Sequence, residues 1–265
     1  NKADPAATGK NFHVPESDET STDLYCPLPI PLPWRMTGAN WITEAQTYYL
    51  LDAKSGNFLF IQLAWSNLSW PASTTCQLSS RLYRPGAKPT SPFTVLSERV
   101  SHSSHNYPAS KMKLSEDRLD ATLKHLQIEQ TAGRLTLGEA SEGGKQHHAF
   151  TCNLNVKALT DSFQCHDGSV HFGINRRDGH VNLRFQPALL ATGTFKTATN
   201  GLDDFNGLGM CLHQFQGVKP YLSASRWNLF YFCADNQTNT CLYMIQMTTP
   251  KIYQRQTHSV GYLFH

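Results

Sequence analysis

Residues 214–228 concentrate side chains that can hold and polarise a small molecule. Lys219 and Arg226 carry positive charges within this block, His213 directly precedes it and Asn228 ends it. Such side chains donate hydrogen bonds to an oxygen atom that gains negative charge during a reaction. The candidate catalytic residues are therefore His213, Lys219, Arg226, Asn228 and, further along the chain, His258.

Each of these candidates also has a structural explanation, and the sequence leaves both open. Arg226 and Trp227 can stack as a cation over an indole ring. Lys219 precedes a proline and fits a solvated loop, whereas His213 alternates with apolar residues on a predicted strand and faces only one side of it. We interpret Arg226 and Trp227 first as architectural, and His213 and Asn228 as the better candidates for ligand contact.

Aromatic side chains on several predicted strands can form the walls of an apolar cavity. Tyr48 and Tyr49 are adjacent, so strand alternation sends one ring inward and the other outward. The candidate substrate-contacting residues are Tyr48, Tyr49, Phe60, Gln62, Trp65, Trp227 and Phe230, with Trp34 and Trp70 as further wall candidates. A binding site for an apolar small molecule is therefore expected.

The composition excludes several functional classes. Charged residues make up 16% of the chain, and the formal net charge of +3 is too small and too dispersed for a nucleic-acid surface. No apolar run is long enough to span a bilayer. The sequence contains no Cys-x-x-Cys or zinc-finger spacing, no nucleotide-binding glycine pattern and no Gly-x-Ser-x-Gly motif of hydrolases. We therefore expect no metal and no cofactor.

Seven cysteines bear on the compartment of the protein. Cys233 and Cys241 flank a polar turn between two apolar runs, and a hairpin there brings them within disulfide range. Cys152 and Cys165 flank residues 153–164 and could pair likewise. Buried free thiols are the alternative for both pairs, and Cys211, inside an apolar run, is the candidate for an unpaired thiol.

Two glycosylation sequons begin at Asn67 and Asn236. Residues 1–22 are polar, contain no apolar leader and do not begin with Met. Together with the cysteines, these features predict a glycosylated protein of the secretory pathway that has been processed at its N-terminus.

Short runs of alternating, β-branched or aromatic residues recur along the chain and are separated by turn residues. This pattern predicts an all-β barrel or sandwich. Residues 1–25 are expected to form a flexible arm, and residues 175–180 are a candidate domain boundary. Residues 114–130 fit either a helix, which their leucine spacing favours, or a hairpin.

Discontinuous but collinear motifs from about residue 44 onward resemble the fungal survival-factor (Svf-like) family. Residues 216–220 read Gln-Gly-Val-Lys-Pro and residues 226–228 read Arg-Trp-Asn, close to that family's pattern. Residues 44–49, Glu-Ala-Gln-Thr-Tyr-Tyr, and residues 74–77, Thr-Thr-Cys-Gln, are similar to two further motifs.

The resemblance implies two lipocalin-like β-barrel or sandwich domains packed together, over residues 26–180 and 181–265, and it favours the hairpin for residues 114–130. Disulfide-bearing relatives of this kind in fungal natural-product pathways are similar to hetero-Diels–Alderases. The implied reaction joins a tropolone-derived ortho-quinone methide to a humulene-type sesquiterpene alkene. Residues 184–188 depart from the family's His-x-Phe-Trp-Pro-Arg segment, so the role of its arginine does not transfer.

Two other functions stay open at this level. A non-catalytic carrier of a sphingolipid or another apolar ligand needs the same cavity as a pericyclic enzyme. A filled barrel fits a structural or partner-binding protein instead, and a cavity below roughly 300 Å³ favours that interpretation.

Overall fold

The structure is a computed structural model, and it describes only part of the chain. The described residues are 12–13, 25–28, 33–35, 41–67, 74–85, 97–138, 141–142, 145–146, 150–165, 168–197, 201–233 and 240–264. Trp70 and Asn236, named above as a wall candidate and a glycosylation site, lie outside these ranges.

Strands dominate the described part of the chain, which confirms the all-β prediction. The strands are β1 (Phe12–His13), β2 (Tyr25–Leu28), β3 (Ile42–Leu51), β4 (Phe58–Asn67), β5 (Thr74–Pro85), β6 (Ser97–Pro108), β7 (Met112–Leu114), β8 (Ala121–Leu123), β9 (Leu126–Glu129), β10 (Arg134–Leu137), β11 (Ser141–Glu142), β12 (Lys145–Gln146), β13 (Phe150–Ala158), β14 (Ser162–Cys165), β15 (Ser169–Phe172), β16 (Gly179–Thr197), β17 (Leu202–Gln216), β18 (Arg226–Cys233), β19 (Cys241–Thr248) and β20 (Thr257–Phe264). The short helix α1 spans Pro220–Ser223, and two 3₁₀ turns span Ala109–Lys111 and Lys251–Tyr253. No helix in the described ranges has the length and apolarity to cross a membrane.

The large antiparallel sheet closes almost completely into a barrel. Its strand order is β6-β5-β4-β3-β17-β16-β13-β10-β9-β8-β7. β6 continues into β7 through the turn Ala109–Lys111, so the two ends of the sheet lie next to each other in the chain. A nearly closed barrel leaves few unpaired strand edges and encloses a core, as in lipocalin-like folds.

Residues 114–130 form hairpins and not the helix that their leucine spacing favours. β7 pairs with β8 and β8 with β9, all antiparallel. Arg118 and Lys124 adopt left-handed backbone conformations in the connecting turns, with φ of 61° and 53°. The strands Leu126–Glu129 and Arg134–Leu137 alternate buried and exposed side chains in the barrel wall, so burial on one face of a sheet overrides the local helical spacing.

The longest strand, β16, contributes to two hydrophobic cores. Val181 and Phe185 belong to the second core, whereas Leu189 and Ala191 belong to the first. The register shifts between Gln186 and Leu189, and this irregularity changes which side chains face which core. The strand accommodates Pro187 at this irregularity.

The division into domains stays a prediction. The boundary at residue 180 falls within β16, and the first core lies inside the barrel. The second core lies between β14 to β17 and a separate sheet in the order β18-β19-β20.

The cysteines do not all pair as the sequence predicts. Cys152 and Cys165 are free thiols, so the disulfide between them is wrong. Cys152 belongs to the first core, and Cys165 packs against the second, so the intervening chain carries them to different interiors. Cys233 and Cys241 stand directly opposite each other on β18 and β19, as the hairpin prediction requires. The side chain of Cys233 lies outside the described part, and this disulfide stays a prediction.

Candidate functional site

A partly open cavity penetrates the barrel between β3, β10, β13, β16 and β17. The space within it measures about 90 Å³, or about 630 Å³ when the solvent-open mouth is included. Leu135, Val156, Ala158 and Leu189 supply its apolar wall. Its polar wall is formed by Gln46, Tyr48, Glu129, Gln130, Arg134, Ser162, Gln186, Cys211 and His213.

A buried pair, Glu44 and His213, stands at the polar side. His213 lies on β17 and Glu44 on β3, and His213 Nε2 is 2.7 Å from Glu44 Oε1. Glu44 is 0% exposed and His213 3% exposed. The backbone N–H of Arg35 donates to both carboxylate oxygens, at 2.8 and 2.9 Å. A carboxylate that accepts these bonds orients the histidine with its proton on Nε2, because Nε2–H must then be the donor to Glu44.

Two polar atoms, one in this pair and one in the neighbouring Gln46, have no hydrogen-bond partner among the described residues. They are Nδ1 of His213 and Oε1 of Gln46. The two residues stand directly opposite each other in the register of β3 and β17. The indole Nε1 of Trp34 is a third such atom, and the Trp34 ring lies 5.6 Å from the ring of His213. Buried polar groups in native proteins are nearly always hydrogen-bonded, so this group of atoms is a candidate ligand contact.

Tyr48 and Cys211 also face each other in the register and form a side-chain hydrogen bond. Burial raises the pKa of the Cys211 thiol to about 12, despite the hydrogen bond from Tyr48, which lowers it. Burial likewise raises the pKa of the Tyr48 hydroxyl above its ordinary value. Both groups therefore stay protonated at neutral pH, and Cys211 is not a thiolate nucleophile.

Gln186 is held firmly at the far side of the cavity. Ser162 Oγ donates to its Oε1, and its Nε2 donates to the backbone oxygen of Thr160 at 2.7 Å. The irregularity of β16 lies between Gln186 and Leu189, and both residues line the cavity. The cavity therefore lies where β16 passes from one core to the other.

Of the candidate catalytic and substrate-contacting residues that the sequence singled out, Tyr48 and His213 line the cavity. Tyr49 lies on the opposite face of β3, with its ring 5.4 Å from that of Phe60. Gln62 donates from Nε2 to Thr47 Oγ1 at 2.9 Å. These residues, together with Trp65 in the first core, are not among those that line the cavity.

The other candidates are dispersed. Arg226, Trp227, Asn228 and Phe230 are exposed on β18, in the three-stranded sheet. Asn228 Nδ2 donates to Gln246 Oε1 at 3.0 Å on the same sheet. This separation follows from the chain turning away after β17, which puts Arg226 and the residues after it in a different sheet from His213.

Lys219 and His258 also lie apart from His213. Lys219 Nζ is 5.1 Å from the ring centroid of Trp41, a cation–π contact. His258 borders a separate void of about 10 Å³, and burial lowers its pKa. The structure therefore does not assemble the five candidate catalytic residues into one site.

Sequence reasoning missed Glu44, Gln46 and Gln186. The signal for the first two is that Glu44, Gln46 and Tyr48 alternate along β3 and face the barrel interior, where apolar residues are usual. Polar residues at interior positions of a strand mark a site or a hydrogen-bond network. Gln186 carries no comparable local signal because its inward direction depends on the register shift of β16.

Comparisons with known proteins agree with this architecture. The ceramide-binding protein svf-1 of Neurospora crassa is 26% identical over 87% of this chain and 56% of its own length. The ceramide-binding protein svf1 of Emericella nidulans is 27% identical over 82% of this chain and 53% of its own length. The chain thus spans about half the length of these relatives.

The fold also matches a solved structure. A candidate AttH protein of Nitrosomonas europaea superposes with a TM-score of 0.53 and 13% identity, over 90% of this chain and 74% of that one. This likeness supports the lipocalin-like fold alone. The model of the Svf1 family matches residues 3–265, and the chain belongs to this family.

Proposed function

We propose that the protein is a cofactor-independent hetero-Diels–Alderase that joins a tropolone-derived ortho-quinone methide to a humulene-type sesquiterpene alkene. The observation that carries this proposal is the cavity, in which an apolar wall faces a polar side where buried Glu44 holds His213. A cycloaddition needs no nucleophile or redox centre. It needs a water-poor space that holds two apolar reactants in register, with a few polar groups at one end.

Orientation is the largest contribution that such a cavity makes. Well-oriented reactant pairs gain up to roughly 7–11 kcal/mol relative to free encounter in solution. When its ring is neutral, His213 presents at Nδ1 a lone pair that can take the ring-hydroxyl proton of the precursor and pass it to the departing hydroxyl, which leaves as water as the quinone methide forms. Cys211 stays a thiol, so it competes poorly as a nucleophile for that electrophile.

The size of the cavity constrains how the reactants bind. The enclosed space of about 90 Å³ is smaller than the roughly 300–1,000 Å³ of sites for drug-sized ligands. Taken alone, this volume favours a filled barrel. The unpartnered polar atoms of Gln46 and His213 favour a ligand instead, and two reactants would then have to widen the cavity or extend into its mouth.

A second candidate function is a carrier of ceramide or another apolar ligand with a polar head. The names of the two relatives, both ceramide-binding proteins, favour it. The same cavity would hold the ligand, with the polar head at Gln46 and His213.

One experiment separates catalysis from carriage. The purified protein is incubated with humulenol and a tropolone quinone-methide precursor, and the adducts are resolved by chiral chromatography. Catalysis predicts one dominant stereoisomer formed well above the background rate. An unchanged racemic background, with tight binding of a fluorescent ceramide, would leave the carrier as the function.

Variants locate the activity in the cavity. His213→Phe removes both ring nitrogens from the polar side and is expected to lower the rate about 100-fold or more, the usual scale for loss of a general acid–base group. The matched control, His171→Phe, alters a half-buried histidine of β15 that does not line the cavity and should leave the rate within twofold. Equal rates for the two variants would place the reaction elsewhere. Thermal melting of both variants confirms that they are folded.

A further inference from the structure

The unpartnered atoms at the polar side of the cavity define a chemical preference. Gln46 is 1% exposed and His213 is 3% exposed, and both line the cavity. The Oε1 and Nδ1 atoms of these residues have no hydrogen-bond partner in the part of the chain that the structure describes. Since buried polar groups are usually satisfied, these atoms require an ordered water or a ligand.

Gln46 Oε1 accepts hydrogen bonds, and His213 Nδ1 accepts them when its ring is neutral. An amide oxygen has no proton to donate. His213 Nε2 lies 2.7 Å from Glu44 Oε1, and the carboxylate also accepts from the backbone of Arg35. The Nε2 position therefore carries a proton, and when the ring is neutral its Nδ1 presents a lone pair. A partner that satisfies either atom must supply an O–H or N–H group.

We propose that Gln46 and His213 form an accepting pair that selects ligands with a hydroxyl or N–H donor at their polar end. A ligand whose only oxygen is a carbonyl or an ether leaves both atoms unsatisfied and binds more weakly. The buried Nε1–H of Trp34, near His213, adds a donor to the same neighbourhood, which suits a hydroxyl because it accepts as well as donates. This inference rests on the proposed binding of an apolar molecule in the cavity and adds the identity of its polar group.

The accepting pair of Gln46 and His213 also indicates which group of the proposed reactants can lie at the polar side of the cavity. The ketone oxygen of a quinone methide only accepts, so it does not match two acceptors. A hydroxylated alkene, or the hydroxyl of a tropolone precursor, does match them. Gln46 thereby acts as a specificity-determining residue, and it does so without taking part in bond formation.

The test uses three probes that share one sesquiterpene chain: farnesol, farnesyl methyl ether and farnesal. Binding is measured by isothermal titration calorimetry at pH 7. Farnesol is expected to bind about tenfold more tightly than the ether and the aldehyde, the scale of one net hydrogen bond. In Gln46→Met, of similar size, farnesol should lose about tenfold in affinity while the ether stays within twofold of the wild type.

The matched control is Gln214→Met on β17. Gln214 neighbours His213 in sequence, is half-buried and does not line the cavity. It should keep the preference for farnesol. If Gln46→Met does not fold, as judged by thermal melting, Gln46→Asn withdraws the oxygen by one methylene and should also reduce the preference.

Several results of these experiments would contradict the accepting pair. Equal affinity for farnesol and its ether in the wild type, or an unchanged preference in the Gln46 variants, would overturn the accepting pair while leaving the apolar cavity intact. Failure of all three probes to bind would overturn the proposed binding function as well. A crystal structure with farnesol that shows water on both atoms and the hydroxyl elsewhere would also overturn the inference.

Discussion

At the scale of residues, the site depends on charges and polar atoms that are held away from water. Glu44 is completely buried, yet it accepts hydrogen bonds from Arg35 and lies next to His213. A buried carboxylate is tolerated only with such partners. The aromatic ring of Trp34 packs 5.6 Å from the ring of the histidine. The pair is therefore held in one orientation before any ligand arrives, which is the condition for efficient catalysis or selective binding.

Buried thiols give the protein a measurable sensitivity to alkaline pH. Burial raises the pKa of Cys152 and Cys211 from 9.0 to about 12. In the unfolded chain these thiols ionise near their ordinary pKa, so the unfolded state loses protons first as the pH rises. The free energy of unfolding should therefore fall between pH 9 and 12, by up to about 1.4 kcal/mol per pH unit for each thiol.

Urea unfolding between pH 8 and pH 11 measures this slope. The double variant Cys152→Ala/Cys211→Ala should be less stable at pH 8, because it loses core volume, but its stability should fall less steeply above pH 9. A slope equal to that of the wild type would show that these thiols are not the groups responsible.

At the scale of elements, the site depends on two long strands that lie side by side. β16 and β17 pair along most of their length, and β3 pairs with the second half of β17. The register shift after Gln186 keeps that residue and Leu189 on the cavity side. Without the shift, strand alternation would point one of these two side chains away from the cavity.

Gly193 lies where β16 closely approaches β13, and a substitution there tests this close approach. Its φ is 152°, and a Cβ atom there would lie 2.1 Å from the backbone oxygen of Asn153. Gly193→Ala should therefore lower the free energy of unfolding by about 2 kcal/mol or more, since the strand backbone must move. Gly201→Ala is the control because nothing lies within 4 Å of its added methyl group. Chemical denaturation should separate the two variants, and similar midpoints would contradict the close approach.

The β18–β19 hairpin offers a test of the predicted disulfide. Cys233 and Cys241 are direct register partners, a position from which cross-strand cysteines reach each other. Peptide mapping without reductant should recover a cross-linked peptide that contains both. Its presence in protein produced through a secretory route would support the predicted compartment, and two free thiols in such protein would count against it.

At the scale of the whole molecule, two cores share one pair of strands, and the cavity lies at the crossing. The first core fills most of the barrel, which explains why the enclosed space is small. The second core is covered by the three-stranded sheet that contains Arg226 and Asn228. This sheet stands apart from the barrel sheet, so the block of residues that first indicated a function is divided between two parts of the molecule.

The sequence predicted the fold class well and the site only in part. Period-two alternation is local, so the strand around Tyr48 could be recognised from the sequence alone. The hairpins over residues 114–130 could not be derived from leucine spacing, and the family resemblance was needed to favour them. Asn228 and Arg226 were close to His213 in sequence, but strand pairing, which is non-local, placed them in another sheet.

The sequence by itself determined the all-β class, membership of the Svf1 family and the value of Tyr48 and His213 as candidates. These depend on composition, alternation and short motifs, which are properties of neighbouring residues. Only the tertiary structure decided that Glu44 and Gln46 join His213, and that Cys152 and Cys165 stay apart. The first outcome depends on strand register, which brings together residues more than a hundred positions apart. The second depends on the packing of Cys152 and Cys165 in two different cores.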